Sequence, residues 1–266
     1  MSELAISTDV QHRQAFHQLE QMFWQAISRE SLHPSAQVHC YCSESSALGF
    51  NFIFVHAGAK PADLQHVMQF CAQQQIEYIL VCERDAALLS DIQQDTQFSA
   101  DGSTTAMGLD LKTWQALPSQ STHTIDITLQ DRSALADWAE PLNSAFADGD
   151  EQLTQQLLRA HQQALDAQQP LYHFVLRTAH QGSQQVVAAL TLSIDQQIAR
   201  LDDIGTRQDA QAKGYATALI QHALIFAQQH GVQHCYLEAS AQGLSIYQKI
   251  GFRALFQNEN FIRLNT

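Results

Sequence analysis

Two neighbouring carboxylates, Asp202 and Asp203, interrupt an otherwise apolar, strand-like run at 198–206. Adjacent residues on a strand point to opposite faces, so a strand here offers one acid to each side. Gln211, Ala212, Lys213, Gly214, Tyr215, Ala216 and Thr217 follow and lead into a long amphipathic pattern. Strand, small-residue turn and helix in that order aim main-chain N–H groups at an anion. The first N–H groups of a helix have no partner inside it, and the aligned peptide dipoles add partial positive charge there. Gly214 allows close approach of a bulky anion, and Ala216 is small enough not to obstruct it. A phosphate-bearing ligand is the expectation.

The spacing Gln-x-x-Gly-x-Ala at 211–216 resembles the pyrophosphate loop of the GNAT superfamily of acyl-CoA-dependent N-acetyltransferases. Leu201-Asp202-Asp203-Ile204-Gly205-Thr206 is similar to its fourth strand, and Ile246-Tyr247-Gln248-Lys249-Ile250-Gly251-Phe252 to its closing segment. The three pieces come in family order and at family distances over roughly the last half of the chain. Gln211 stands where Arg is commoner, Ala212 where Gly is, Gln208 where Pro is, and Ser240 where an Asn often contacts the cofactor.

The resemblance implies acetyl-CoA as co-substrate and transfer of its acetyl group to a primary amine by direct attack on the thioester. The acceptor would be a small molecule or an amino-acid-like compound. The alternatives are a protein or peptide N-acetyltransferase, and a non-catalytic acyl-CoA-binding sensor. On the same resemblance the Ile204 N–H holds the acyl oxygen, with Gly205 relaxing the strand into a bulge, and Thr206 pairs with the pantetheine amides. N–H groups from Gln211 to Thr217 hold the pyrophosphate, with Lys213 and Arg207 adding charge. Tyr247 stands at the general-acid position; a phenol of ordinary pKa ~10 is protonated at neutral pH and able to donate. Asp202, expected on the face of Ile204, would position the amine. No metal is called for.

With 266 residues the chain can bury one large core or two ordinary ones, and 45% apolar against 15% charged residues is a globular composition. The net charge of −13 repels a phosphate backbone and attracts a cationic amine, so nucleic acid is not an expected partner. Five cysteines, Cys40-x-Cys42 among them, lack the spacing of a secreted scaffold or of a zinc knuckle. They suit structural thiols in a reducing cytoplasm. No run reaches the ~18 apolar residues of a membrane span, and no signal peptide opens the chain. A homodimer is compatible with the sequence.

The positioning elements follow from periodicity. In the first half, a helix from Asp9 to about Arg29 precedes strands at 37–43 and 47–56, a helix from Pro61, a strand at 77–82 and a short helix at 86–92. An extended tail runs through 107–111. The second half reads as a strand at 123–130, helices capped by Asp131 and Asp150, strands at 172–178, 186–194 and 198–206, and a helix at 215–230. A strand at 232–239, a short helix at 242–250 and a terminal hairpin (252–256 with 261–264) complete it.

The fold class expected is α/β (α+β): a GNAT-type mixed, mostly antiparallel twisted sheet with splayed parallel central strands flanked by helices. Residues 119–266 form the catalytic domain, and 1–118 a smaller related α/β domain, a degenerate GNAT-like unit without a phosphate loop. In that unit the only comparable turn, Gly58-Ala59-Lys60, is followed by Pro61, which lacks an N–H.

Overall fold

The computed structural model describes residues 2–44, 49–118, 124–146, 149–180 and 183–263, with side chains from Val10 onward except at His180. The first half of the chain forms α1 (Ser2–Ile27), β1 (Glu30–Leu32), β2 (Val38–Cys42), β3 (Phe52–Val55), α2 (Pro61–Gln74), β4 (Ile79–Glu83), α3 (Leu89–Gln94) and β5 (Phe98–Asp110). The second half forms β6 (Ile125–Gln130), α4 (Leu135–Phe146), α5 (Glu151–Asp166), β7 (Leu171–His180), β8 (Ser183–Asp195) and β9 (Ile198–Thr206). It ends with α6 (Tyr215–Gln229), β10 (His234–Ser240), α7 (Leu244–Ile250) and β11 (Arg253–Arg263).

Local chemistry sets these boundaries. The Asp131 carboxylate accepts from the Ser133 and Ala134 N–H groups, and that of Asp150 from Gln152 and Leu153 at 2.9 and 3.1 Å. Both satisfy donors that the helix itself cannot. In α6 the stripe Leu219, Ile220, Ala223, Leu224 and Ala227 is fully buried. α7 stops at Gly251, whose φ of 118° suits a residue without Cβ. No described helix is long and apolar enough to cross a membrane.

All eleven strands join one sheet in the order β1-β2-β3-β4-β11-β5-β10-β9-β8-β7-β6. Only β3/β4 and β9/β10 are parallel; the other neighbours are antiparallel. Helices cover both faces. On one, α6 and α2 pack on two apolar clusters, around Leu201, Cys235 and Met107 and around Cys40, Ile53 and Leu80. On the other, α1, α4 and α5 pack on Tyr236, Ala106, Val175 and Ala189.

About the central β11/β5 pair the sheet has an approximate two-fold repeat. The unit β2-β3-α2-β4-α3-β5 has the connectivity of β8-β9-α6-β10-α7-β11. Each unit sends its last strand across. β5 lies between β10 and β11, and β11 lies between β4 and β5. The sheet is therefore continuous across the 118/119 boundary.

Three expectations need correction. The first helix starts at Ser2, so Asp9 lies within it rather than capping it. The extended tail is the end of a thirteen-residue strand, β5. The terminal hairpin is a single strand, β11, because Asn258 and Glu259 find ladder partners on both sides instead of turning. Asn258 pairs with Glu83 on one side and Thr104 on the other, and register shifts at Ala254/Phe256 and Glu259/Phe261 absorb the irregular apolar pattern. Of the linker, 119–123 lies outside the described residues.

Because β5 completes the ladders of β10 and β11, residues 119–266 expressed alone should lack native cooperativity, whereas 98–266 should regain it. Thermal unfolding followed by circular dichroism distinguishes the two. A cooperative transition in 119–266 alone would contradict the dependence on β5.

Candidate active site

β9 and β10 pair from Ile198↔His234 to Leu201↔Leu237 and then part. Beyond the fork β10 is held only by β5, through Glu238↔Ala106 to Ser240↔Thr104. β9 keeps β8 as its neighbour, but a register shift between Thr191↔Asp202 and Ala189↔Gly205 takes Asp203 and Ile204 out of the ladder. Asp203 adopts φ 49°, in the left-handed region. This is a β-bulge, and it sits two residues before the glycine where the sequence places it. Gly205 serves close packing instead. A Cβ there would come within 2.6 Å of Leu142, so the glycine lets α4 lie close on β9.

The bulge changes which acid faces where. Arg200 and Asp202 point to the α1 side, and Ile204 packs in the α6-side cluster, so Asp202 and Ile204 do not share a face. Asp202 is bound by the buried Arg200 guanidinium, with Nε 2.8 and 3.1 Å from its carboxylate oxygens. Burial pushes its pKa up while Arg200 opposes the shift. Arg200 also reaches Glu238 at 3.9 Å and lies over the Phe16 ring.

Asp203 instead lines a cavity of about 370 Å³ between α1, β3, α4 and α5. Its carboxylate is 3.5 Å from the buried His161 Nε2, and His161 Nδ1 is 2.8 Å from His173 Nε2. Burial and then the Asp202 charge push the Asp203 pKa up to about 7, whereas burial lowers those of His161 and His173, keeping both rings neutral. A carboxyl group poised near neutral pH is suited to exchanging a proton.

On the opposite face, residues 211–214 are exposed ahead of α6. Ala212 and Gly214 have φ of 60° and 81°, and the first bond of the helical ladder runs from the Ala218 N–H to the Gly214 carbonyl. The turn leading into α6 thus stands at an open surface beside the fork. The Gln211 N–H makes a long 3.4 Å bond to Gln208, and its side-chain amide donates to the Thr206 carbonyl at 3.2 Å. Lys213 Nζ donates to the Asp209 carbonyl, while Arg207 is ion-paired with Asp209 and Glu140. The Tyr215 ring is buried, Ala216 and Thr217 are half-buried, and the exposed Ser240 hydroxyl accepts from the Gly243 N–H at 3.3 Å.

Tyr247, half-buried on α7, has its pKa pushed up to about 12 by burial and then by the Asp202 charge, so it stays protonated. The Glu238 carboxylate accepts from Asn258 at 2.7 Å and from Thr104. A larger cleft of about 750 Å³, near His12, Trp114 and Arg253, lies at the far end of β10 from the fork.

Sequence reasoning missed Arg200, His161, His173 and the cavity walls from the first half. A buried polar residue inside an apolar strand, as at His173 and Arg200, was the signal available. Side chains that looked isolated also converge: Cys40 and Cys42 meet Cys71, and His17 meets His56 and Glu83.

The site is thus a fork in a mixed sheet, with the exposed turn 211–214 leading into α6 on one face and the Asp203 cavity on the other. Residues 133–252 match the family model described as the Acetyltransferase (GNAT) family. The fold is shared with a GCN5-related N-acetyltransferase from Kribbella flavida (TM-score 0.63, 12% identity, 96% of each chain covered). A GCN5-related N-acetyltransferase from Sphaerobacter thermophilus is similar (0.62, 12% identity), covering 86% of this chain and 78% of that one. A tandem GNAT protein from the clavulanic acid biosynthesis pathway gives 0.57 at 11% identity, over 85% of this chain and 78% of its own. No match was found among curated proteins.

The raised Asp203 pKa carries a stability prediction. A folded pKa of about 7 against an ordinary 3.8 means that the native state binds this proton more tightly than the unfolded chain does. Through this group the fold therefore loses stability as pH rises between those two values. Asp203→Asn should raise Tm at pH 8, by progressively less at lower pH, with the gain vanishing near pH 4. A gain independent of pH would contradict the assignment.

Proposed function

We propose that the protein is an acetyl-CoA-dependent N-acetyltransferase that acetylates the primary amine of a small molecule by direct attack on the thioester. The observation that carries this reading is the fork: β9 and β10 part after Leu201 and Leu237, beside the exposed turn 211–214 that leads into α6. Acetyl-CoA fits this corner, since a Cβ added at Gly214 meets nothing within 4 Å and residues 211–214 are exposed. When bound, it supplies an acyl group activated as a thioester.

The chain's own groups divide the remaining work. N–H groups between Ala212 and Thr217 hold the diphosphate, and Lys213 adds charge. Ser240 and the Thr206 backbone border the pantetheine arm. The Ile204 N–H, freed from the ladder by the bulge, is the donor aimed at the acyl oxygen. Asp203 takes the amine proton, a role its cavity position and raised pKa suit better than the Arg200-bound Asp202, which instead holds the fork's charges in place. Tyr247 donates a proton to the departing sulfur.

Residues 119–266 form the catalytic unit in this reading, and 1–118 a GNAT-like unit without a phosphate site. Pro61 opening α2 and the paired β3/β4 strands support that division. Five buried, free cysteines suit a reducing cytoplasm.

Calorimetric titration with acetyl-CoA tests the phosphate corner: saturable binding is expected, and Gly214→Trp should abolish it. Wild-type-like affinity in that variant would refute the corner. Thiol release with an amine as acceptor tests the chemistry. The rate should fall as pH drops through about 7, because Asp203 acts only when ionised. Asp203→Asn should remove that limb, and Tyr247→Phe should slow turnover by roughly 10²-fold or more with little change in acetyl-CoA affinity. Unchanged rates in both variants would refute the roles of Asp203 and Tyr247, and binding without turnover on any amine would favour an acyl-CoA sensor.

A further inference from the structure

The cavity beside Asp203 is built by both halves of the chain. Leu142 and Phe146 of α4 and Leu157 of α5 form one wall, and Trp24 of α1 with Phe50 and Phe52 at β3 forms the other. Trp24 and Phe52 are in ring contact, with centroids 4.5 Å apart. Among the described lining residues Asp203 alone carries a charge, and Thr154 is the one hydroxyl. The Thr154 hydroxyl is engaged with the Asn143 side chain at 2.9 Å and the Asp150 carbonyl at 3.0 Å.

Resting on the transferase reading above, we propose that this cavity is the acceptor subsite and that it selects a monoamine with an apolar or aromatic body, the N-terminal half supplying the selecting wall. Apolar walls favour an apolar body, and one anion at the cavity's edge favours one ammonium group. Among the described lining residues a second ammonium has no further carboxylate to meet, which disfavours polyamines. A zwitterionic amino acid would bury its carboxylate with no cationic partner among the described lining residues, which a dry site disfavours. The volume of about 370 Å³ suits a single aromatic ring system with a short aminoalkyl arm. The wall at Trp24, Phe50 and Phe52 gives the attached half a direct part in specificity, although it holds no phosphate loop.

The test uses the full chain and thiol release from acetyl-CoA with 2-phenylethylamine, tryptamine, spermidine and lysine, beside calorimetric titration with acetyl-CoA. The expected result is kcat/KM higher for both aromatic monoamines than for spermidine or lysine. Trp24→Ala and the loop variant Phe50→Ala should each lower kcat/KM for tryptamine by roughly 10–100-fold, mostly through KM, with acetyl-CoA affinity unchanged. That unchanged affinity also shows that each variant is folded. Preference for spermidine or lysine, or unaltered kcat/KM for tryptamine in both variants, would overturn the inference and leave the transferase reading standing. Absence of saturable acetyl-CoA binding, or binding without turnover on every amine, would overturn both.

Discussion

Everything at this site depends on two parallel strands separating within a sheet that is otherwise paired. Parting β9 from β10 gives up ladder hydrogen bonds, and it can persist only because each strand keeps a second neighbour, β8 and β5. Asp202 and Glu238, the first residues past the last paired rung, bring two negative charges to the opening, and the buried Arg200 holds both. Removing such groups from water costs several kcal/mol per ion before pairing. Three carboxylates nonetheless keep the Arg200 guanidinium charged against the burial that opposes it: Asp202, then Glu20, then Glu238. Asp202 is thus committed to structure. The bulge one residue later turns Asp203 to the cavity, where burial and then the Asp202 charge raise its proton affinity.

The N-terminal half is bound to this arrangement through α1. Phe16 lies under Arg200, Glu20 is fully buried near it, and Trp24 reaches the cavity beside Asp203. Glu20 in turn meets His56 at 3.2 Å, and His56 meets Glu83, which also binds His17 and Arg13. Burial opposes a charge on His56, but the two carboxylates push its pKa up to about 9, so the chain of alternating charges is intact at neutral pH. With β5 and β11 each lying inside the other half's ladder, the molecule has one sheet and one continuous polar spine beneath α1. The two halves are related in connectivity but divided in labour. Pro61 and the paired β3/β4 strands close the corner that Gly214 and the β9/β10 fork open.

Much of this was legible in the residues. Periodicity located most elements of the second half closely, since amphipathic helices and alternating strands there carry their own caps and glycine stops. The turn at 211–216 was legible as a turn leading into a helix, because the backbone geometry at a helix start is set largely by local sequence. β5 and β11 were misjudged for a shared reason. Polar segments such as 101–105 and 257–260 become strands only where neighbours on both sides satisfy their backbone, and those neighbours lie 130 or more positions away at Glu238 and Ser240 for β5.

What the sequence determined by itself is therefore what short-range physics controls: the strand–turn–helix that presents N–H groups, the pair of acids beside it, and the phenol of Tyr247. The tertiary structure decided which acid Arg200 holds and which faces the cavity, because alternation along a strand holds only while its register does, and the Asp203 bulge breaks it. It also decided the cavity walls, since Trp24, Phe50 and Phe52 line one cavity with Leu142 and Phe146 only after two distant halves have closed over one sheet. Contacts of that kind are fixed by packing between elements, and no local pattern encodes them.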